Sequence, residues 1–206
     1  MNNTYTKNIL FSTPIFQFQN KDLALQLKKY ILLKKIEGIE SDIAPRMKHN
    51  LAESKFDFFN NENEIIHSTG RYIAACLTQA LNDVQNEDCS YTINFYESWY
   101  HIGNKNSTHD THTHGNCSWC GIFYLQSGDI DSGGETVFNN PIQSNYGDYG
   151  SFQNAESHSA ISPEDGKLVL FPSYLQHSQS LYTGNEDRIV VAFNCKIIDK
   201  IIVEPN

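Results

Sequence analysis

The chain has 206 residues, a formal net charge of −9 and a sequence pI of about 5.3. This length is sufficient for one domain with a substantial core that needs no disulfide. The negative charge disfavours nucleic acids and anionic membranes as partners, because both repel an acidic protein. The sequence shows no membrane-spanning run and no signal peptide, so we expect a cytoplasmic protein whose five cysteines stay reduced.

Two helices are predicted in the first half of the chain. The first follows Asp22, has apolar residues at helical spacing and stops at Gly38. The second runs roughly from Asn63 to Gln85, and its apolar stripe is expected to pack in the core. Residues 39–61 have a mixed composition and are expected to be rich in loops. The stripe of the second helix consists of Ile66, Ile73, Leu77, Leu81 and Val84.

From Ser90 onward, short β-branched and aromatic runs alternate with turn-forming segments such as GNKNSTHD. This pattern is typical of an all-β sandwich or barrel. The segment from Asn139 to Ser151 is predicted to be a long exposed loop and a candidate lid. We therefore predict a single, mainly β domain, in which a jelly roll over residues 90–206 packs against a helical support over residues 1–89. The predicted strands are TINFYESWY, WCGIFYLQ, ETVFN, KLVLFP and RIVVAFNCKII.

The segment from Gly166 to His177 has its own pattern. Gly166 opens a strand in which Leu168 and Leu170 fill one face by period-two alternation. His177 then stands at the start of the next strand, where the mouth of the barrel is expected.

Three histidines are the most informative residues of the chain. His112 and His114 are two residues apart, so in a strand their side chains point to the same face. His177 lies 63 residues beyond His114 and supplies a third imidazole from a distant strand. Three protein ligands leave coordination positions open for substrate and oxygen, as in catalytic non-haem iron sites, although zinc, nickel and copper also accept imidazole. Taken alone, the His-x-His pair is equally compatible with a solvated turn.

Other polar residues near this pair leave the ligand set open. Asp110 forms an inverted Asp-x-His pair with His112 and is an alternative ligand. The remaining histidines near these segments, His101, His109 and His158, are expected to be solvent-exposed loop residues.

Arg188 begins the apolar run RIVVAFN, 11 residues after His177. A guanidinium that enters a barrel interior needs a partner, and a carboxylate bound in bidentate fashion fits its planar fork. The alternative is a structural salt bridge to Glu186 or Asp187.

Cys117 and Cys120 form a C-x-x-C motif. A redox dithiol normally opens a helix, whereas the residues that follow Cys117 have the pattern of a strand. A structural zinc would need a second such pair, and the sequence has none. We therefore expect both cysteines to be small, partly buried residues near the site.

Taken together, these segments resemble an iron(II)/2-oxoglutarate-dependent oxygenase of a family related to the prolyl hydroxylases and found in phages and marine bacteria. The resemblance covers residues 90–197 well and implies a double-stranded β-helix core. It also implies iron(II), 2-oxoglutarate and oxygen as reactants, with hydroxylation of an unactivated C–H bond and release of succinate and CO2. The residues that carry it are Ser98-Trp99, His112-Thr-His114, CGIFYLQ, GGETVF, Gly166-KLVLFPSYLQH and Arg188-IVVAFN.

The resemblance also implies roles for individual residues. The metal ligands would be His112, His114 and His177, although the superfamily has an acid where this chain has His114. A neutral imidazole there leaves the metal site about one charge more positive than a carboxylate would. Arg188 would bind the C5 carboxylate of 2-oxoglutarate with the help of Tyr124, for which core packing is an equal alternative. The residues expected to shape the pocket are Trp99, Asn116 and Ser118.

Three other functions compete with this one. A three-histidine dioxygenase of the cupin type uses no 2-oxoglutarate and needs no buried arginine. A non-catalytic jelly-roll binding module would explain the departure at His114. A halogenase requires His114 to point away from the metal so that halide can bind. The expected substrate of the oxygenase is a small molecule or a protein side chain.

Overall fold

The computed structural model describes residues 12–36, 42–43, 48–141 and 157–202. Their fold is mainly β, with two α-helices and one short 3₁₀ helix. The helices are α1 (Lys21–Ile36), the 3₁₀ helix (Phe58–Asn60) and α2 (Glu64–Gln85). The strands are β1 (Phe16–Gln19), β2 (Asp42–Ile43), β3 (Lys48–Glu53), β4 (Cys89–His112), β5 (Trp119–Gln126), β6 (Thr136–Asn139), β7 (His158–Ile161), β8 (Lys167–Pro172), β9 (His177–Tyr182) and β10 (Arg188–Ile202).

Both predicted helices are confirmed, and asparagine side chains cap their first turns. The Asn20 side chain accepts a hydrogen bond from the Leu23 amide at 3.0 Å, and Asn63 accepts one from Ile65 at 3.0 Å. Such caps satisfy amides that have no partner inside the helix. Of the predicted stripe on α2, only Val84 is wrong, because its side chain is 48% exposed at the last turn. The predicted stop at Gly38 lies outside the described residues.

Two segments that were expected to form loops contain strands. Within residues 39–61, β3 pairs with β4 and β2 pairs with β3. The sequence of β3 is polar apart from Leu51 and one alanine, and this composition hides the alternation of a strand. The segment GNKNSTHD is also part of β4, which continues to His112 through irregular register near Ser107 and His109. Most of the predicted loop from Asn139 to Ser151 lies outside the described residues.

The strands form one curled antiparallel sheet in the order β1-β8-β5-β10-β4-β9-β6-β7, and β3 adds to β4. Strand β10 lies between β5 and β4, so the two halves of the jelly roll meet along it. The predicted jelly-roll fold class is confirmed. None of the helices in the described part of the chain is long and apolar enough to cross a membrane.

The two faces of the central strands have different partners. Leu168 and Leu170 share one face, as predicted, and belong to the apolar cluster that includes residues of both α-helices, whereas Val169 and Phe171 belong to a second apolar cluster on the opposite face. The same alternation holds in β10, because successive side chains of a strand point to opposite faces. The β10 residues that pack on the helical side are Ile189, Val191, Phe193 and Cys195.

Candidate active site

Three histidines, from β4, the segment after it and β9, converge in one pocket. His112 ends β4 and lies directly opposite His177, the first residue of β9. His114 follows two residues after β4. One ring nitrogen from each histidine can be chosen so that all three lie within 4.8 Å of one another. The ring centroids of His112 and His177 are 4.3 Å apart, and His114 lies 4.9 Å and 5.1 Å from them.

Backbone carbonyls orient two of these imidazoles. The Nδ1 of His112 lies 2.8 Å from the carbonyl oxygen of Asp110, and the Nδ1 of His177 lies 3.0 Å from that of Leu175. A carbonyl can only accept, so Nδ1 carries the proton and Nε2 is available as a ligand atom in both residues. This second contact is the usual way in which proteins fix a metal-binding histidine.

All three imidazoles are neutral at neutral pH. Burial lowers the pKa of His112, and it lowers the pKa of His114 to about 4 and that of His177 to about 3. Neutral imidazole is the form that binds a metal ion. The residues therefore fit a divalent metal, with no carboxylate among these three side chains to offset its charge.

Arg188 enters the same pocket from the start of β10. The pocket that contains the three histidines also has Trp99, Thr136, Gln179 and Arg188 in its wall. Arg188 is 2% exposed. Its Nε donates to the Gly134 carbonyl at 3.0 Å, and its Nη1 donates to the Gln179 side chain at 2.8 Å.

Among the described residues, the hydrogen-bond partners of the guanidinium are neutral. In the part of the chain that the structure describes, Arg188 forms no ion pair, and Asp187 instead pairs with Lys35 at 3.1 Å. The alternative of a salt bridge to Glu186 or Asp187 is therefore wrong. Burial lowers the pKa of Arg188, yet a guanidinium stays charged in proteins. A buried positive charge of this kind favours an anionic ligand, and a carboxylate of 2-oxoglutarate fits.

Tyr124 lies at the arginine end of the pocket. Its ring is fully buried, and the guanidinium carbon of Arg188 is 5.0 Å from the ring centroid. Its hydroxyl hydrogen-bonds to the Thr136 side chain. The ring therefore packs in the core, and the hydroxyl contacts Thr136 in the wall of the pocket, while the contact of Tyr124 with a carboxylate stays a prediction.

Two histidines that were expected to be exposed belong to the pocket. His101 is 5% exposed on β4, and the ring of His109 stacks on that of His112 with centroids 4.0 Å apart. The prediction is wrong because both residues lie on β4, which continues through a segment whose composition is typical of a loop. His158 is exposed, as predicted.

A buried charged network supports this wall. The Nε2 of His101 lies 2.6 Å from a carboxylate oxygen of Glu53, which Lys48 also contacts. Burial opposes ionisation of Glu53, but the contacts from His101 and Lys48 outweigh it and hold the pKa of that carboxyl below its usual value. Burial also lowers the pKa of His101. The network ties β3 to the β4 face beside the metal ligands.

Several predicted residues lie away from this centre. The Asp110 side chain is exposed and is not in the group of converging ligand atoms, so the geometry favours His114 over Asp110. Since His114 faces the other two histidines, the opening that a halogenase requires is not formed.

Of the predicted pocket residues, Trp99 lines the pocket, but Asn116 and Ser118 are exposed in the turn before β5 and do not. Their side chains instead accept hydrogen bonds from Lys196 and from the Ile197 amide on β10.

The C-x-x-C cysteines have the environment predicted for them. Cys120 is buried in the pocket wall and Cys117 is partly buried, with their sulfur atoms 3.8 Å apart. All five cysteines are free thiols. Burial raises the pKa of Cys120, so its thiol is protonated and unreactive at neutral pH.

Sequence reasoning missed Gln179, Thr136 and Asn194. Gln179 bridges Arg188 to β4, because its amide nitrogen donates to the Ser107 carbonyl at 3.2 Å. Asn194 is 2% exposed and contacts His114. Alternation along β10 from Arg188 would have placed Asn194 on the pocket face, which is the one signal that could have found it.

Comparisons with known proteins agree with this geometry. Residues 97–194 match the family model described as "Putative 2OG-Fe(II) oxygenase". No curated protein matches the sequence significantly.

Solved structures share the fold at low sequence identity. A prolyl-4-hydroxylase from Pseudomonas putida is 16% identical with a TM-score of 0.64, and the match covers 91% of this chain and 95% of that one. The collagen prolyl hydroxylase of Paramecium bursaria Chlorella virus 1 is 14% identical, with a TM-score of 0.58 and coverage of 89% and 96%. HygX from Streptomyces hygroscopicus, solved with nickel and 2-oxoglutarate, is 13% identical, with a TM-score of 0.60 and coverage of 90% and 84%. The family model thus matches residues 97–194, and the three converging histidines fit the iron(II) and 2-oxoglutarate that this family uses.

Proposed function

We propose that this protein is an iron(II)/2-oxoglutarate-dependent oxygenase that hydroxylates an unactivated C–H bond and converts 2-oxoglutarate to succinate and CO2. His112, His114 and His177 would hold iron(II), and Arg188 with Tyr124 would bind the distal carboxylate of 2-oxoglutarate. The proposal rests on the buried guanidinium of Arg188, which forms no ion pair with any described residue and lies in the same pocket as three neutral imidazoles. When bound, iron(II) and 2-oxoglutarate supply the oxidising power, and the protein supplies orientation and a dry site.

Each residue has a defined task in this proposal. Carbonyl contacts hold the Nε2 atoms of His112 and His177 toward the metal. Gly134 and Gln179 fix the guanidinium of Arg188, so little side-chain freedom is lost when a carboxylate binds. Because three neutral imidazoles leave both charges of iron(II) uncompensated, the site favours a dianionic co-substrate. No side chain is required as a general base.

The substrate class and the location are also proposals. Similar structures include a prolyl hydroxylase with a peptide fragment and HygX with hygromycin B, which supports a protein side chain or a small molecule as substrate. The net charge of −9 disfavours a nucleic acid or an anionic membrane as partner. Five free thiols fit a reducing cytoplasm, which would be the host cytoplasm if the chain is encoded by a phage.

The test is an anaerobic titration with iron(II) and then 2-oxoglutarate, monitored by the weak visible charge-transfer band of the chelated metal. We expect the band in the wild type. In Arg188→Ala, 2-oxoglutarate affinity should fall by about 100-fold or more, because a buried charge pair is lost. Arg71→Ala is the matched control, since Arg71 is exposed on α2 and pairs only with surface groups.

Two results would contradict the proposal. An unchanged band in Arg188→Ala would mean that another residue anchors 2-oxoglutarate. Bound metal without any band would favour the three-histidine dioxygenase or the binding module instead. Succinate formation with candidate peptides and small molecules then identifies the substrate.

A further inference from the structure

The three histidines of the metal group differ in what their Nδ1 atoms face. In His112 and His177 this atom faces a carbonyl oxygen, which can only accept a hydrogen bond. In His114 it faces the side-chain amide nitrogen of Asn194 at 3.1 Å. An amide NH2 group can only donate, so Nδ1 of His114 accepts and its Nε2 carries the proton. A metal ion needs that same Nε2 atom unprotonated.

Glu97 explains why the amide has this orientation. Glu97 on β4 lies directly opposite Asn194 on β10, and its carboxylate accepts a hydrogen bond from the same amide nitrogen at 2.9 Å. The other amide atom, Oδ1 of Asn194, is buried and has no hydrogen-bond partner among the described residues. A buried acceptor without a partner is unfavourable, and the Glu97 carboxylate, which needs a donor, accounts for this orientation of the amide.

We propose that the Asn194 amide is shared between Glu97 and His114 and must turn over when His114 binds a metal, so that Glu97 restrains metal affinity. After the turn, Oδ1 of Asn194 accepts from Nδ1 of His114, and Nε2 becomes free to bind, as in the other two histidines. The turned oxygen then faces the Glu97 carboxylate, and two acceptors at hydrogen-bond distance repel each other. Asn194 and Glu97 are thus positioning residues for His114. This inference rests on the proposed role of His114 as a ligand.

The shared amide and simple electrostatics predict opposite changes of metal affinity in Glu97→Gln. A carboxylate near a cation attracts it, so Coulomb's law alone predicts weaker metal binding when Glu97 becomes neutral. Under the proposal, Glu97→Gln tightens metal binding. Its amide can donate to the turned Asn194 oxygen, so both orientations are satisfied and the restraint disappears.

The first experiment is a cobalt(II) titration followed by visible absorption, with an anaerobic iron(II) titration beside it. We expect cobalt(II) affinity about tenfold higher in Glu97→Gln than in the wild type, the scale on which contacts behind a metal ligand act. Glu64→Gln on the exposed face of α2 is the matched control and should bind like the wild type. Unchanged or weaker binding in Glu97→Gln would overturn the inference.

A double-mutant cycle tests whether Asn194 transmits the effect. In an Asn194→Leu background no amide is shared, so Glu97→Gln should leave the cobalt(II) affinity unchanged. A tenfold gain that persists in this background would overturn the sharing mechanism. If Asn194→Leu does not fold, imidazole nitrogen-15 spectra of the wild type and Glu97→Gln replace the cycle. The proposal requires His114 protonated on Nε2 in the wild type without added metal, and a shift toward Nδ1 in Glu97→Gln.

The outcomes separate this inference from the proposed function. Absence of cobalt(II) and iron(II) binding in every variant would refute the metal centre itself. Metal binding in the wild type with no response to Glu97→Gln would refute only the role of Glu97 and Asn194.

Discussion

The two faces of β10 have different roles, because one packs in the apolar core and the other contributes polar side chains to the site. On the helical side, Ile189, Val191 and Cys195 are almost fully buried in the apolar cluster that contains α1 and α2. On the other side, Arg188 and Asn194 are equally buried, but their polar groups contact the pocket residues Gln179 and His114. Burial alone therefore does not distinguish a core residue from a functional one.

The difference shows what the apolar face makes possible. A buried guanidinium and a buried amide each destabilise the fold unless they are satisfied, and Gly134, Gln179 and Glu97 satisfy them only in part. The packed helical side supplies the stability that permits this arrangement. Substitutions of neighbouring residues on opposite faces should therefore have separable effects.

The largest effect on stability is expected on the helical face. Ile189→Ala should lower the free energy of unfolding by about 2–5 kcal/mol, because a fully buried side chain leaves a cavity. Its folded fraction should bind 2-oxoglutarate like the wild type, in contrast to Arg188→Ala next to it. Denaturant unfolding measures the first quantity. Ile201→Ala, 60% exposed on the same strand, should change stability by no more than about 0.5 kcal/mol.

On the pocket face, His177→Ala should abolish stoichiometric metal binding. Loss of one of three ligands removes more affinity than loss of a contact behind a ligand, so we expect a decrease of more than about 100-fold. Metal analysis after gel filtration and cobalt(II) titration measure it, with the exposed His158→Ala as control. Retained stoichiometric metal would move the site elsewhere.

The buried histidines should also make the metal-stripped protein sensitive to acid. Burial lowers the pKa of His177 to about 3, below the 6.5 of a free imidazole, so the unfolded chain binds more protons between these values. The contribution of neutral His177 to the free energy of unfolding is therefore fully present above pH 6.5 and is lost as the pH falls. His177 alone should lower the free energy of unfolding by about 2 kcal/mol at pH 5. Denaturant unfolding at pH 7.5 and pH 5 measures the difference. It should shrink in His177→Gln and persist in His158→Gln, and equal slopes in both variants would contradict the assignment.

The smallest effect is expected from His114→Asp. A carboxylate at this position matches the superfamily pattern and offsets one charge of the metal, so 2-oxoglutarate turnover should stay within about tenfold of the wild type. Succinate formation measures turnover once a substrate is known, and the charge-transfer band reports binding before that. Complete loss of both would show that the imidazole itself is required.

Local patterns in the sequence were sufficient for much of this protein. Apolar spacing and capping residues determined both helices, and β-branched runs determined the core strands β5, β8 and β10. The sequence also singled out the three histidines and Arg188, because their residue types and order are characteristic of a metal site with an anion anchor. These features depend on residues close in the chain or on a family pattern.

Only the tertiary structure decided the surroundings of these residues. The polar β3 and the second half of β4 form strands because neighbouring strands provide partners, and no local pattern signals that pairing. His101 is therefore buried, and His109 is half-buried although the composition of its segment is typical of a loop. The pairing of Glu97 with Asn194 joins residues 97 positions apart, and their competition for one amide depends on strand register alone. Register is a long-range property, so it determines which nitrogen of His114 is free while the sequence determines only that a histidine is there.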